Sequence, residues 1–99
     1  MILVFPKPLT FLWDKGNTEK NWLKHRVSNT ECEEVFYDPS KRIAKDLVHS
    51  EMERRYIVFG KTKRNRLLFV VGTIRENMMR IISARDVNSR ERRFYEKKS

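Results

Sequence analysis

The segment from Leu67 to Val71 constrains the fold most, because five apolar residues follow one another there. A strand that is apolar on both faces must be covered on at least one of them, as a central strand of a sheet is. We therefore predict a strand over Arg66–Thr73. Two further runs rich in apolar, β-branched and aromatic residues, Arg55–Gly60 and Met78–Arg85, predict the neighbouring strands of a three-stranded meander.

The first quarter of the chain predicts a strand and a helix. Leu9–Trp13 is predicted to be a short strand, with Thr10 and Leu12 alternating against Leu9, Phe11 and Trp13. Asp14 follows it and is expected to cap a helix running to about His25, because its carboxylate can accept from free N–H groups of the first turn. Residues 1–8 are expected to form an N-terminal extension, an extra edge strand or docked arm. Its apolar start is too short for a signal peptide or a membrane helix.

A second helix is predicted from Ser28 and Glu31, which have the spacing of a capping box. The residues that follow form an apolar stripe that should face the core: Cys32, Val35 and Phe36. Asp38-Pro39 should end this helix, because the residue before a proline resists the α conformation. Residues 39–53 show no period and are expected to be a polar connector.

A last helix should begin at Asn88, paired with Glu91, or at Ser89 alone. The order of elements is then strand, two helices, three-stranded meander and helix. We expect one α+β domain over residues 9–99, with a small antiparallel sheet packed against N-terminal helices and followed by a C-terminal helix.

Charge is distributed unevenly along the chain. The whole sequence has 22 Lys and Arg against 13 Asp and Glu, a net charge of +9. Residues 1–53 hold 8 basic and 9 acidic side chains, whereas residues 54–99 hold 14 and 4. A basic excess confined to the second half favours a surface that faces a polyanion.

Several kinds of chemistry are disfavoured by the residue types present. His25, His49 and the single Cys32 lack the spacing of a metal site, and one cysteine excludes an internal disulfide and fits a reducing compartment. Isolated glycines form no phosphate loop. We expect a cytoplasmic protein without metal or cofactor.

RNA cleavage without a metal suits the remaining residues. Such cleavage needs cations that neutralise the developing charge on phosphate and groups that move protons. Arg75, Arg80 and Arg85 are candidates for the first role. Regular alternation would place Arg80 and Arg85 on opposite faces, so a bulge or bend is needed if both serve one site. Lys24 and His25, at the end of the first helix, are candidates for proton transfer.

Several different short motifs follow one another over about residues 11–96. They are Phe11-Leu12-Trp13-Asp14, Asn21-Trp22-Leu23-Lys24-His25-Arg26-Val27-Ser28, Phe36-x-Asp38-Pro39, Asp46-x-x-His49-Ser50-x-x-Glu53-x-Arg55, Arg66-Leu67-Leu68, Arg80-Ile81-Ile82-Ser83-Ala84-Arg85 and Arg90-Glu91-Arg92-Arg93-x-Tyr95-Glu96. Together they resemble the BrnT family of toxins from bacterial type II toxin–antitoxin systems. Arg26 and Asn65 depart from that pattern, since the family commonly has glycine there.

The resemblance implies a RelE/ParE-like fold and an RNA-cleaving toxin that arrests growth. It also implies a BrnA-like antitoxin with its own DNA-binding domain, in a 2:2 heterotetramer that reaches operator DNA only through the antitoxin. The side chains expected to bind the RNA backbone are Arg55, Lys63, Arg64 and Arg66.

Two other functions remain open at the level of sequence. The protein could be a catalytically silent module that acts mainly in operon repression, binding RNA or its antitoxin. It could also be a ParE-like toxin that acts on a protein target such as gyrase. A positive groove beside a shielded imidazole or lysine would favour cleavage.

Overall fold

A computed structural model describes residues 5–46 and 53–97. Within these ranges the chain forms five strands and three helices, which confirms the α+β class. In chain order they are β1 (Phe11–Leu12), α1 (Lys20–His25), α2 (Asn29–Val35), β2 (Arg42–Lys45), β3 (Arg55–Lys61), β4 (Leu67–Arg75), β5 (Met78–Asp86) and α3 (Ser89–Glu96). None of these helices is long and apolar enough to cross a membrane.

The strands form one mixed sheet in the order β1-β5-β4-β3-β2. The predicted meander of β3, β4 and β5 is confirmed, and all its pairings are antiparallel. The prediction of a wholly antiparallel sheet is wrong, because β1 pairs with β5 in parallel. This arrangement follows from the chain path: β1 precedes both helices and meets the meander only at its far edge.

The core lies between one face of the sheet and helices α1 and α2. The predicted stripe of α2 is confirmed, since Cys32, Val35 and Phe36 are all buried. The strands contribute residues with no exposed surface: Val58, Leu68, Val70, Met79, Ile81 and Ala84. The capping box also forms, with the Ser28 hydroxyl accepting from the Glu31 N–H at 3.0 Å.

Helix α3 packs at one end of the opposite face of the sheet. The Phe94 ring lies 5.3 Å from that of Phe59 on β3, between centroids. The predicted start of this helix is confirmed, because the Asn88 side chain accepts from the Glu91 N–H at 2.8 Å and the Glu91 carboxylate accepts from the Asn88 N–H at 2.9 Å.

Two predictions for the N-terminal part are wrong. The first strand is Phe11–Leu12 and is shorter than Leu9–Trp13, and α1 begins only at Lys20. Asp14 caps no helix; the N–H groups of residues 17 and 18 instead donate to its carbonyl in a turn. Glu19 then has a φ of 62°, a left-handed conformation that a right-handed helix does not admit, so α1 starts after it.

The connector over residues 39–53 contains a strand that the sequence did not predict. β2 pairs with β3 from Arg42 opposite Phe59 to Lys45 opposite Tyr56. Four residues of mixed polarity are too few to show a strand period. The rest of the connector, residues 47–52 with His49, lies outside the described residues.

The N-terminal extension is described from Phe5 onward, and this part of it is docked. The Phe5 ring packs against Tyr56 at 5.6 Å and against Phe36 at 5.9 Å, between centroids. These contacts cover the edge of the core beside β3.

The backbone is left-handed at Arg26 and Asn65, the two positions at which the resemblance implies glycine. Arg26 has a φ of 55° and Asn65 a φ of 65°, conformations that glycine adopts without steric cost. Asparagine tolerates this region, as predicted for Asn65, whereas arginine does so only with strain.

We expect Arg26→Gly to raise the free energy of unfolding by about 0.5–1 kcal/mol, because it relieves this strain at the C-terminus of α1. Chemical denaturation measures the change. Leu23→Gly, at an exposed position within the same helix, should lower stability by about 1 kcal/mol. If Arg26→Gly is neutral or destabilising, the contact of the Arg26 guanidinium with the Trp22 ring, at 5.5 Å, outweighs the strain.

Candidate nucleic-acid interface

A bulge in β5 interrupts its pairing with β4. Val71 pairs with Ser83, and the next residue of β4, Gly72, pairs with Ile81. Ile82 is therefore an extra residue on β5 with no partner of its own on β4. One extra residue shifts the alternation of side chains. Odd-numbered residues of β5 therefore face one side of the sheet before the bulge and the other side after it.

The bulge places Arg80 and Arg85 on the same face of the sheet. Arg80 pairs with Thr73 and Arg85 with Phe69, and these two partners lie four residues apart on the regular part of β4. Cross-strand partners share a face, and so do residues four apart in a strand. The structure thus supplies the bulge that the sequence required if both arginines serve one site.

Five arginines share the face of the sheet opposite α1 and α2, which we call the arginine face: Arg42, Arg55, Arg75, Arg80 and Arg85. They form two rows across the strands. One row runs from Arg42 through an aromatic pair to Arg85, and the other runs from Arg55 through Thr73 to Arg80.

Arg85 is held in place from two sides. Its Nη1 and Nη2 donate to the two carboxylate oxygens of Glu91 on α3 at 2.8 and 2.9 Å. Its Cζ lies 4.0 Å from the centroid of the Phe69 ring, a cation–π contact. The hydrogen bonds with Glu91 raise the pKa of Arg85 and hold the pKa of Glu91 below its usual value.

Arg80 is the most enclosed of the ion-paired arginines on this face, with 14% of its side chain exposed. Its Nη1 donates to Asp14 Oδ2 at 2.6 Å, and this bond lowers the pKa of Asp14. Gly16 allows the loop to close over the guanidinium, since a Cβ at that position would lie 2.7 Å from Arg80 Nη2. Asp14 therefore orients an arginine instead of capping a helix.

Arg75 lies at the far end of β4 and pairs with Glu53 at 3.2 Å. Half of its side chain is exposed. Arg75, Arg80 and Arg85 are thus each paired with a carboxylate at the rim of the face.

Helix α3 closes one end of the arginine face. The Tyr95 hydroxyl donates to Asp38 Oδ2 at 2.6 Å, and the Lys61 N–H donates to the same oxygen at 2.8 Å. Burial and the Asp38 carboxylate raise the pKa of Tyr95 to about 12.

The adjoining groove, of about 770 Å³, lies between α2, α3 and the β3–β4 loop and includes Glu33, Glu34 and Asp38. Lys61 and Lys63 also line the groove, but the three carboxylates outnumber them and make it less favourable for a phosphate.

Lys24 and His25 lie on the other side of the sheet, at the C-terminus of α1. Both are exposed. Arg66 Nη2 donates both to the His25 carbonyl, at 3.1 Å, and to Asp86 Oδ2, at 3.0 Å, while Arg85 Nη1 donates to the Asp86 carbonyl at 3.1 Å. His25 and Arg85 therefore adjoin the same residue at the end of β5, from opposite faces.

Arg66 links three elements on the helix side of the sheet. Its guanidinium donates twice to Asp86, at 2.8 and 3.0 Å, and contacts Glu31 on α2 at 3.3 Å. It also donates to the carbonyl groups of His25 and Arg26 at 3.1 and 2.7 Å. The hydrogen bonds with Asp86 raise the pKa of Arg66 further above its ordinary value. The Arg66 guanidinium thus makes its contacts within the protein and stabilises the packing of α1, α2 and β5.

The structure brings together some of the predicted site residues and separates others. Of the predicted RNA-binding residues, Arg55 shares the arginine face with the predicted catalytic residues Arg75, Arg80 and Arg85. Lys63 and Arg64 lie exposed in the β3–β4 loop on the helix side, where the Lys63 N–H donates to Glu34 at 3.1 Å.

Sequence reasoning missed Arg42 and the carboxylates that hold the arginines. Arg42 belongs to the strand that was assigned to the connector, so it could not be placed on a face. The order Arg42-Ile43-Ala44-Lys45 has no alternation of polar and apolar residues that could have shown the strand. The ion pairs join residues 66, 22 and 6 positions apart, which no local spacing reveals.

Guanidinium groups in rows on one sheet face of a basic α+β domain are typical of proteins that bind a polyanion. Over residues 13–91, the chain matches the family described as the ribonuclease toxin BrnT of type II toxin–antitoxin systems. It therefore belongs to the BrnT family of ribonuclease toxins, and its partner is an antitoxin. A search among curated proteins finds no significant match.

Proposed function

We propose that this toxin is an endoribonuclease that binds single-stranded RNA across the arginine face and cleaves it without a metal ion. The bulge in β5 carries the proposal, because it joins Arg80 and Arg85 to the arginines of the neighbouring strands. Guanidinium groups supply the charge neutralisation that a metal supplies in other nucleases.

The spacing of the arginines favours a track along the RNA backbone. The partners of Arg80 and Arg85 are four residues apart on β4, which corresponds to about 13 Å at ~3.3 Å per residue. Asp14 holds the Arg80 guanidinium and Glu91 holds the Arg85 guanidinium, so we assign the two groups to separate phosphates. We assign the scissile phosphate to Arg85, which projects at the end of β5, and the adjacent backbone to Arg55, Arg75 and Arg80.

The carboxylate partners favour a preorganised site. Asp14, Glu53 and Glu91 hold the guanidinium groups in extended positions before RNA arrives. A phosphate offers the same bidentate geometry to a guanidinium as a carboxylate does. The remaining N–H groups of each guanidinium can therefore donate to RNA from a side chain whose conformational entropy has already been lost.

We place proton transfer on Lys24 and His25, as a separate part of the proposal. Its support is that both residues lie beside Asp86 at the end of β5: Arg66 links the His25 carbonyl to the Asp86 carboxylate, and Arg85 donates to the Asp86 carbonyl. An RNA strand that leaves the arginine face over this end passes the C-terminus of α1.

We expect His25→Ala to slow single-turnover cleavage by roughly 10²–10⁴-fold, the usual range for loss of a general acid or base. Affinity for a 2′-deoxy-substituted RNA should stay unchanged, because the phosphates are held elsewhere. Lys24→Ala is measured in parallel. A loss of rate below threefold in both variants would remove the proton-transfer assignment and leave the arginine face as the proposed site.

We expect RNA affinity to fall steeply with salt, with a log–log slope of roughly −0.7 for each phosphate contact on a single strand. Arg55→Gln should make the slope less steep by about that amount. Arg64→Gln removes the same charge from the helix side and should leave the slope unchanged. Fluorescence anisotropy at several salt concentrations measures both. A slope that responds only to Arg64 would move the RNA path to the β3–β4 loop.

The antitoxin is proposed to be BrnA-like and to form a 2:2 complex that contacts operator DNA through its own DNA-binding domain. A RelE/ParE-like fold relationship, a cytoplasmic location and growth arrest through translation belong to the same proposal. Light scattering of the co-expressed pair tests the stoichiometry, where a mass of two toxins and two antitoxins is expected.

Purified, antitoxin-free protein with naked RNA in EDTA tests the proposed activity. We expect the wild type to cleave, and folded arginine-face variants to cleave slowly. Absence of cleavage by folded wild type in EDTA, with activity restored by Mg²⁺, would contradict metal independence. Absence under both conditions would contradict cleavage of free RNA.

A further inference from the structure

Two buried asparagines lie beside the bulge of β5. Asn17, in the turn before α1, is 2% exposed, and Asn21, in the first turn of α1, is 3% exposed. Both amide side chains reach the outer edge of β5 where β1 has ended. A fully buried amide is unusual unless its hydrogen bonds fix something specific.

The asparagines take the place of the missing strand. Asn17 Nδ2 donates to the carbonyl groups of Leu12 and Ile81, both at 3.0 Å. Asn21 Oδ1 accepts from the Ala84 N–H at 3.0 Å. Ile81 directly precedes the bulged residue Ile82 and Ala84 lies two residues after it, so the two side chains bind the backbone on both sides of the bulge.

The bond to Ala84 exists only in the bulged register. Backbone groups of a regular strand point to alternate edges, so residues 79, 81 and 83 would face β1. The Met79 N–H does so, donating to the Thr10 carbonyl at 2.8 Å. With Ile82 inserted as a bulge, Ala84 takes the place of Ser83 at this edge. Without the bulge, the Ala84 N–H would turn towards β4, and Arg85 would face the helices.

The backbone across from the bulge is also adapted to it. A Cβ at Gly72 would lie 2.7 Å from Met79 Sδ and 3.2 Å from the Arg80 carbonyl oxygen. Glycine thus lets β4 and β5 approach closely on the opposite side of β5 from the asparagines.

We infer that Asn21, assisted by Asn17, is a positioning residue for RNA cleavage: it selects the bulged register that places Arg85 on the face of Arg80. This inference rests on the proposed role of the arginine face. Asn21 touches no substrate in this account and acts through the backbone of β5.

The test compares Asn21→Leu, which keeps the volume and removes the acceptor, with Asn21→Asp, which keeps the acceptor. Val58→Ala, a cavity in β3, serves as the control for lost stability. Single-turnover cleavage of naked RNA is measured where each variant is more than 95% folded. NMR follows the Ala84 amide exchange and the ring-current shift that Phe69 imposes on the Arg85 side chain.

We expect Asn21→Leu to lose protection at Ala84, to lose the Arg85 shift and to cleave at least tenfold more slowly. Asn21→Asp should retain the protection at Ala84, the Arg85 shift and the rate of cleavage. Val58→Ala should cleave within threefold of wild type. If Asn21→Leu does not fold, Asn21→Ser, whose hydroxyl falls short of Ala84, takes its place. Retained Arg85 shift in the folded variant, or a loss of rate no larger than that of Val58→Ala, would overturn the inference.

Failure of the proposed function gives a different result. If wild-type protein cleaves no RNA, the NMR signals still report whether Asn21 sets the register of Arg85. If wild type cleaves RNA and Asn21→Leu changes the register of β5 without loss of rate, the proposed cleavage activity stands. Asn21 is then not a positioning residue for the reaction.

Discussion

Arg85→Ala should lower the rate of RNA cleavage by roughly 10²–10³-fold, the usual cost of removing one donor that stabilises transition-state charge. Loss of its ion pair with Glu91, which is partly solvated, should lower the free energy of unfolding by only about 1 kcal/mol. The variant therefore remains folded while it loses activity. Single-turnover kinetics and denaturant unfolding measure the two effects separately.

Glu91→Gln provides the matched control for Arg85→Ala. It breaks the same ion pair but keeps the guanidinium, and glutamine can still complete the capping box at Asn88. We expect a similar small loss of stability with cleavage largely retained. Equal losses of cleavage in the two variants would show that the reaction needs the ion pair and not a contact of Arg85 with RNA.

Arg66→Ala should have the largest effect on stability, about 2–3 kcal/mol. The substitution removes the Arg66 donor from two carbonyl groups at the end of α1 and from the Glu31 carboxylate, which keeps only the Ser28 N–H. For a domain of this size the melting temperature should fall by roughly 10–20 °C. Calorimetry measures the change.

Arg66→Lys distinguishes the charge of Arg66 from its shape. Lysine keeps the positive charge but cannot donate in a planar fork to Asp86 while it reaches both carbonyl groups. We expect most of the destabilisation to remain, with the salt dependence of RNA affinity unchanged. Full stability in Arg66→Ala together with weaker RNA binding would support the original prediction that Arg66 tracks the RNA backbone.

The strands of the second half could be predicted because their signals are local. The β-branched and aromatic run of β4 is long and apolar on both faces, which few other structures accommodate. The capping boxes at Ser28 and Asn88 were equally readable, since their partners lie three residues away. β1 was predicted with bounds that were too long and β2 was missed, because strands of two and four residues carry little pattern.

The arginine face could be predicted only in part. The charge excess of the second half and the need for a bulge between Arg80 and Arg85 were visible in the sequence. The bulge itself depends on Asn17 and Asn21, more than 60 residues away. No single-chain pattern reports such a contact, and the same holds for the pair of Asp14 with Arg80.

The most direct test of the account maps bound RNA onto the two faces of the sheet. A short RNA made uncleavable by 2′-deoxy substitution is titrated into isotope-labelled protein, and the arginine Nε–Hε signals are followed by NMR. We predict that Arg55, Arg80 and Arg85 shift with RNA while Arg66 does not. Shifts confined to α1, α2 and the β3–β4 loop, with the arginine face unaffected, would contradict it.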